Sequence, residues 1–418
     1  MIYVHVPFCR SFCTYCDFYS EVASKCRQNE SELFGSFAQA LVAEVKARGH
    51  EITDETNTLY IGGGTPSVLP PCVFEDLLAA LSEAGHGGPY DEFTVEVNPE
   101  DIIEKGEPYV EALLKLGVNR VSMGVQSFDD GILRFMNRRH DADTARRAYA
   151  VLENAGVRNI SIDLIFGLPQ LSDEQWADTL KKALEISPSG VLPQHISSYQ
   201  LSVEPGSMLA KMVEKGMWRE ASDELCERQY RILCDTLARA GYHHYEISNF
   251  AQPGYEAVHN SAYWRHVPYV GLGPGAHSYL RAPACRCIPA TPATTPYGAV
   301  APPSRGWHVA GTQPAQPESA NEIYLRQWNR PDLKGYIADP CGITEHEVLD
   351  AEQLVLEKVM LALRTSEGIS EAYLNEHCDG AALKRAFAAG DLEHTASGNV
   401  RIPENRFFIS DSIISEIV

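Results

Sequence analysis

Between residue 2 and about residue 250 the chain alternates short β-rich runs with longer amphipathic ones, and this alternation constrains the fold most. The β-rich runs are residues 2–6, 59–61, 93–97, 120–125, 159–165 and 195–200. Helical periodicity fills the gaps, at 31–48, 73–83, 109–116, 142–155 and 173–186. In the first of these helices Leu33, Phe34, Phe37, Leu41 and Val45 recur on one face of a 3.6-residue period. Strands that alternate with helices build a parallel sheet, because each return to a parallel neighbour needs a long crossover. Six such units are too few for an eightfold barrel, so the expected α/β fold is an open, partial (β/α)6 barrel.

The pattern changes past residue 220. A helix over 223–240 carries Cys226, Tyr230, Leu233 and Leu237 on one face, and a glycine-rich turn follows at Gly271-Leu272-Gly273-Pro274-Gly275. Residues 281–319 hold eight prolines among Ala, Thr and Ser, the composition of an exposed insertion. Beyond it a helix is expected around Val355, Val359, Ala362 and Leu363, with a short helix at 381–389 and a hairpin-like end at 399–408. This order suggests a small C-terminal α+β domain of winged-helix type. The expected divisions are a barrel over 1–250, an extension over 251–340 and the winged-helix-like domain over 341–418.

Chemistry-bearing residues gather just after the predicted strands, where α/β sheets collect their functional groups. Cys9, Cys13 and Cys16 follow the first strand with C-x3-C-x2-C spacing, and Gly62-Gly63-Gly64-Thr65-Pro66 follows the second. Glu96 and Asn98 mark the third, Gln126 the fourth, Asp163 the fifth and Gln200 the sixth. Thiolates are the usual ligands of iron–sulfur clusters. Three of them on a four-iron cluster leave one iron open to a further ligand. The alternative is a zinc site completed by Cys26 or His5, although the second Cys or His pair usual in zinc motifs is absent at the usual spacing. The glycine run removes side chains where backbone must approach a ligand. Cys72, Cys234, Cys341 and Cys378 read as small buried hydrophobes.

The 418 residues carry a net charge of −21, which argues against nonspecific nucleic-acid binding. The one basic cluster, Arg134, Arg138, Arg139, Arg146 and Arg147, reads mostly as a solvated helix face. Eleven cysteines without a signal-peptide pattern fit a reducing cytoplasm. No stretch approaches the roughly 18 apolar residues of a membrane span.

Taken together, Tyr3-Val4-His5-Val6-Pro7-Phe8-Cys9 and Cys13-Thr14-Tyr15-Cys16-Asp17-Phe18 resemble the oxygen-independent coproporphyrinogen III oxidase family of radical S-adenosylmethionine (SAM) proteins. The resemblance extends through Gly62–Pro66, Glu96-Val97-Asn98-Pro99, Gly124-Val125-Gln126-Ser127-Phe128, Asn137-Arg138 and Ile162–Pro169. It implies a radical SAM barrel, a 4Fe–4S cluster on Cys9, Cys13 and Cys16, and SAM. By the same resemblance Tyr3 and Tyr15 flank SAM and the cluster, and Gly63, Gly64 and Thr65 meet the methionyl end. Glu96, Gln126, Arg138 and Asp163 bind SAM or a neighbouring ligand. A carboxylate suits ribose hydroxyls or an ammonium, and a guanidinium suits a carboxylate.

The oxidases of this family carry a fourth cysteine just past the motif, in a C-G-C arrangement. Here Asp17-Phe18 follows Cys16, the pattern of the HemW-type branch, regarded as haem chaperones. That branch also carries an H-N-x-x-Y-W motif, matched by His259, Asn260, Tyr263 and Trp264. The resemblance therefore implies haem as a third cofactor and apo-haem proteins as acceptors. It also implies a low-potential electron donor such as a flavodoxin or ferredoxin, a homodimer as one assembly, and a cytoplasmic site that includes the inner membrane face. His5, His243, His244, His266 and His277 stand beside His259 as candidate haem ligands. Oxidative decarboxylation of coproporphyrinogen III is the second reading.

Overall fold

The computed structural model describes residues 1–23, 29–283 and 322–418. Cys26 and almost all of the Pro-rich stretch lie outside the described residues.

One sheet of nine strands dominates. After β1 (Ile2–Val6), the two-residue strands β2 (Phe8–Cys9) and β3 (Glu21–Val22) pair with each other in the cysteine loop. The chain then returns to the main sheet as β4 (Thr58–Gly63), β5 (Glu92–Val97), β6 (Arg120–Gln126), β7 (Ile160–Phe166) and β8 (His195–Gln200). With β1 these stand in sequential order and all run parallel, which is the six-stranded arrangement the alternation predicts. The crossovers are helical: α1 (Glu30–Arg48), α2 (Pro71–Glu83), α3 (Pro99–Lys115), α4 (Asp130–Phe135), α5 (Ala142–Asn154) and α6 (Asp173–Leu184). After β8 come α7 (Met208–Glu214) and α8 (Asp223–Arg239), and α6 packs on α8.

α3 is longer than the sequence pattern indicates. Its first turns start at Pro99, where a missing N–H costs nothing, and the helix resumes after a break at Gly106, whose φ is +67°. Gly106 and Pro108 interrupt the periodicity that marks only the second half.

The sheet continues beyond residue 240. β9 (His243–Glu246) and β10 (Asn249–Ala251) add an antiparallel pair at the β8 edge. After α9 (Val258–Trp264), β11 (Val270–Leu272) joins the opposite edge, parallel to β1. The chain therefore carries α9 from one open edge of the partial barrel to the other. A second sheet, unanticipated from the sequence, comprises β12 (His277–Pro283), β13 (Glu322–Asn329) and β14 (Thr344–Leu349), all antiparallel. β12 and β13 flank the Pro-rich stretch, which hides their pairing from any local pattern.

The second sheet and α10 (Leu333–Ala338) are fixed to the barrel through one wholly buried carboxylate. Glu44 on α1 accepts from Arg48 at 2.7 Å, Gly273 N at 2.8 Å, Asn329 Nδ2 at 2.7 Å and the Tyr336 hydroxyl at 2.7 Å. Four donors share its two oxygens, the hydrogen-bonding that burial of a carboxyl group requires.

The C-terminal region runs α11 (Ala351–Ala362), β15 (Ile369–Ser370), α12 (Glu371–His377), α13 (Gly380–Ala389), β16 (Glu393–His394) and β17 (Asn399–Arg401). With strand order β15-β17-β16, all antiparallel, this is winged-helix order. The hairpin expected to reach residue 408 stops at Arg401. Pro403 ends the strand, a 3-10 turn follows, and α14 (Ser410–Ile417) buries Ile413, Ile414 and Ile417. Among the described residues no helix is long and apolar enough to cross a membrane.

Candidate functional site

Strand alternation builds a polar interior into the barrel. On β6, Val121, Met123 and Val125 pack into the apolar core, while Arg120, Ser122, Gly124 and Gln126 line a cavity of about 750 Å³. Tyr60, Glu96, Asp163, His195, Ser197 and Tyr199 line it from the other strands. A packed barrel core is filled by branched aliphatics; polar groups at these positions mark a ligand space.

Cys9, Cys13 and Cys16 stand at one end of this cavity, in the loop between β1 and α1. The loop is held against the barrel by backbone bonds: Gly64 N donates to Val6 O at 2.8 Å and Thr65 N to Phe8 O at 2.7 Å. Gly64 is required there. A Cβ at that position would lie 2.7 Å from Phe8 O and 3.1 Å from Cys9 Sγ. Thr14, between the second and third cysteines, donates its hydroxyl to Phe135 O at 2.8 Å, and Leu209 N donates to Thr14 O at 2.9 Å.

The thiols are supplied with donors. Arg138 donates to Cys13 Sγ at 3.3 Å, to Asn98 Oδ1 at 2.7 Å and to Gly124 O at 2.8 Å. Asn98 Nδ2 donates to Thr65 Oγ1 at 3.2 Å, which leaves the Thr65 hydroxyl proton for Cys9 Sγ, 3.4 Å away. One network thus joins two of the three cysteines and points hydrogen-bond donors at their sulfurs. Arg138 therefore stands apart from the solvated face expected of the basic cluster: it is enclosed in the cavity wall, while Arg147 is a surface residue paired with Asp143. No three His, Cys, Asp or Glu side chains among the described residues close on a single ion. The thiols ring the cavity end instead, and His5 has no free nitrogen for a zinc. Its Nε2 donates to Tyr19 O at 2.8 Å and its Nδ1 accepts from the Tyr3 hydroxyl at 3.0 Å. The donor set, the glycine cradle and the cationic support fit a 4Fe–4S cluster with an open position.

Glu96 lies deeper. It accepts from the Tyr60 hydroxyl at 2.7 Å and from Gly63 N at 3.2 Å. Burial raises its pKa from 4.5 to about 7. Asp163 accepts from Ser122 Oγ at 3.2 Å and is also raised, chiefly by burial. Gln126, at a register shift that ends β6, has φ +66°, an unusual conformation for a non-glycine residue and one that costs of order 1–3 kcal/mol. Tyr3, Tyr15, Gly63, Gly64 and Thr65 line the same cavity. All twelve residues expected around SAM and the cluster thus share one space.

The H-N-x-x-Y-W residues do not sit beside the cysteines. They form α9, and His259, Asn260 and Tyr263 line the cavity, while Trp264 lies outside it. His259 is 1% exposed. Its Nδ1 lies 2.8 Å from Thr58 Oγ1 and its Nε2 3.1 Å from the Tyr263 hydroxyl. Of the other candidate haem ligands none lines the cavity. His244 is buried against Phe250 at 4.0 Å, His266 is bonded to Glu357, and His243 and His277 are exposed.

Residues missed in the sequence include Tyr60, Arg120, His195 and Tyr245. Arg120 is 3% exposed and its Nε has no partner. The signal was present: Arg120, Ser122, Gly124 and Gln126 put no aliphatic side chain at alternate positions of a strand buried on both faces. Cys72 and Cys341 are exposed, against expectation. Cys72 falls on the outer face of α2, whose core contacts come from Val73, Phe74 and Leu77.

The profile of the Radical SAM superfamily matches residues 3–183. A Synechocystis protein named "Heme chaperone HemW" is 32% identical over 372 residues, 89% of this chain and 79% of that protein. The Lactococcus lactis protein of the same name is 36% identical over 278 residues, 66% of this chain and 69% of that protein. Among solved structures, the coproporphyrinogen III oxidase (HemN) of Escherichia coli superposes with TM-score 0.72. The match spans 99% of this chain and 89% of that one at 20% identity, a likeness of fold. On these matches the chain belongs to the HemW family of the radical SAM superfamily.

Proposed function

We propose that the chain is a haem chaperone that binds haem and a SAM-coordinating 4Fe–4S cluster and delivers haem to acceptor proteins. The observation that carries this reading is Phe18, 65% exposed at the cavity mouth, in the position where the C-G-C arrangement of the oxidase branch has its fourth cysteine. It belongs to an apolar rim. Phe12 and Tyr199 are exposed on the same mouth, and Met208 is exposed next to Leu209, which is bonded to the cysteine loop. Exposed apolar patches of this kind mark interaction sites. A planar porphyrin would bury them, and Arg139, exposed at the same mouth without an ion-pair partner among the described residues, suits a propionate.

Cys9, Cys13 and Cys16 would hold the cluster, with Arg138 and Thr65 supporting two of the thiolates. When bound, the cluster and SAM supply one-electron reductive chemistry at the sulfonium. Gly63 and Gly64 give SAM close backbone approach, and Glu96, Gln126 and Asp163 present polar groups to it. The cysteine loop, exposed at Phe12, Asp17 and Phe18, offers a low-potential donor such as a flavodoxin or ferredoxin a short path to the cluster. Delivery to apo-haem proteins in the cytoplasm and at the inner membrane face, by a monomer or a homodimer, completes the reading.

The test is an anaerobic absorption titration of the reconstituted protein with haem, run beside a decarboxylation assay on coproporphyrinogen III with SAM and a reductant. Saturable haem binding without carbon dioxide release is expected. Carbon dioxide release with no haem binding would replace this reading with the oxidase.

A further inference from the structure

The H-N-x-x-Y-W segment is built into the barrel wall. α9 lies in the connection between β10 and β11, and Glu92 at the start of β5 receives its first turn. Glu92 Oε2 accepts from Val258 N at 2.7 Å and Oε1 from His259 N at 3.3 Å. Asn260 Nδ2 donates to Glu246 Oε1 at 3.2 Å, on β9. Tyr263 meets Tyr269 edge-on, 4.7 Å between ring centroids.

From this anchored helix a chain of contacts rises toward the glycine loop. The His259 ring packs on Tyr60 with centroids 5.1 Å apart. Tyr60 donates to Glu96 at 2.7 Å, and Glu96 receives Gly63 N at 3.2 Å. Gly63 adjoins Gly64, which cradles Cys9. For His259 to ligate an iron, its ring would have to give up its hydrogen bonds to Thr58 and Tyr263 and leave both hydroxyls without that partner.

We infer that His259 is a positioning residue for the SAM side of the cavity, acting through Tyr60 and Glu96, and that it is not an axial ligand of haem iron. The haem arm of this inference rests on the chaperone reading; the SAM arm does not.

The test uses full-length protein with its cluster reconstituted. SAM and haem affinities are measured for wild type, His259→Phe, His259→Ala, Tyr60→Phe and the His259→Ala/Tyr60→Phe double variant. Resonance Raman or EPR spectra report the haem axial ligand. Phe keeps the ring against Tyr60 and cannot ligate iron, so His259→Phe is expected to retain the wild-type haem spectrum and most of the SAM affinity. His259→Ala and Tyr60→Phe should each weaken SAM roughly three- to tenfold, the scale of one lost buried contact. Because both act along one route, the double variant should be no weaker than the worse single variant. Loss of the axial-ligand signature in His259→Phe would overturn the inference, as would multiplicative losses of SAM affinity. Wild-type protein that binds SAM but no haem would overturn the chaperone reading alone, leaving the SAM arm to decide this one.

Discussion

Arg138 and Cys13 are joined by a hydrogen bond of 3.3 Å from the guanidinium to the thiol sulfur. The same guanidinium reaches Asn98, and Asn98 reaches Thr65 beside Cys9. Cys13, the proposed cluster ligand, is thus held by a cation that is itself fixed by a strand-end amide and the Gly124 carbonyl. Replacing Arg138 with Met removes the donor from Cys13, Asn98 and Gly124 O together. Charge-assisted bonds contribute about 1.5–3 kcal/mol each. Anaerobic iron and sulfide analysis should find less than half the wild-type cluster content in Arg138→Met, with partial recovery in Arg138→Lys. Full loading of the Met variant would remove this role.

Gly64→Ala tests the cradle. The new Cβ meets two backbone carbonyls, Phe8 O and Val6 O at 2.7 and 2.9 Å, neither of which can rotate away. Overpacking costs about 1–3 kcal/mol, and here the displaced segment carries Cys9. Cluster loading should fall more steeply than the melting temperature. A loaded Ala variant with normal iron content would show that the loop has room.

Glu96 predicts a pH signature in protein without SAM or cluster. Tyr60, Gly63, Asp163 and Arg120 face it, and burial raises it to about 7 in the folded state against 4.5. A raised carboxyl contributes stability that is complete below about pH 4.5 and lost as pH rises through about 7. Glu246, also raised to about 7 by burial, acts in the same direction. The Glu96→Gln variant loses only its own share. Its melting temperature relative to wild type should therefore climb as pH goes from 5 to 8. A difference that is flat or declines over that range would contradict the assignment.

Phe18 tests the haem rim. Burying a Phe side chain contributes roughly 1.5–3 kcal/mol, so Phe18→Asp should weaken haem binding about tenfold or more while leaving iron content intact. Equal haem affinity in Phe18→Asp and wild type would move haem elsewhere.

Much of this was legible in the chain. The sequential parallel order of β1 and β4 to β8 follows from the β-α alternation, and the winged-helix order from its helix and strand signals. The cysteine loop and glycine run were readable because unusual residues stood at strand ends. What escaped depends on distant pairing. β12 meets β13 across the Pro-rich stretch, and β11 meets β1 from the far end of the barrel. No local period encodes either. The H-N-x-x-Y-W segment was recognisable as a motif, but its burial under Tyr60 depends on where α9 crosses the sheet. Only the family resemblance set Arg138 apart from the other arginines of the basic cluster, because helical periodicity says nothing about the loop that turns it inward.

The central claim is haem delivery, and haem transfer measures it most directly. Haem-loaded protein with its cluster intact, mixed anaerobically with an apo-haem acceptor, should release haem at a rate set by the complex, seen as the acceptor's Soret band growing in. Transfer should slow in Phe18→Asp. Haem that never leaves the loaded protein, or that reaches the acceptor no differently from free haem in solution, would contradict the account.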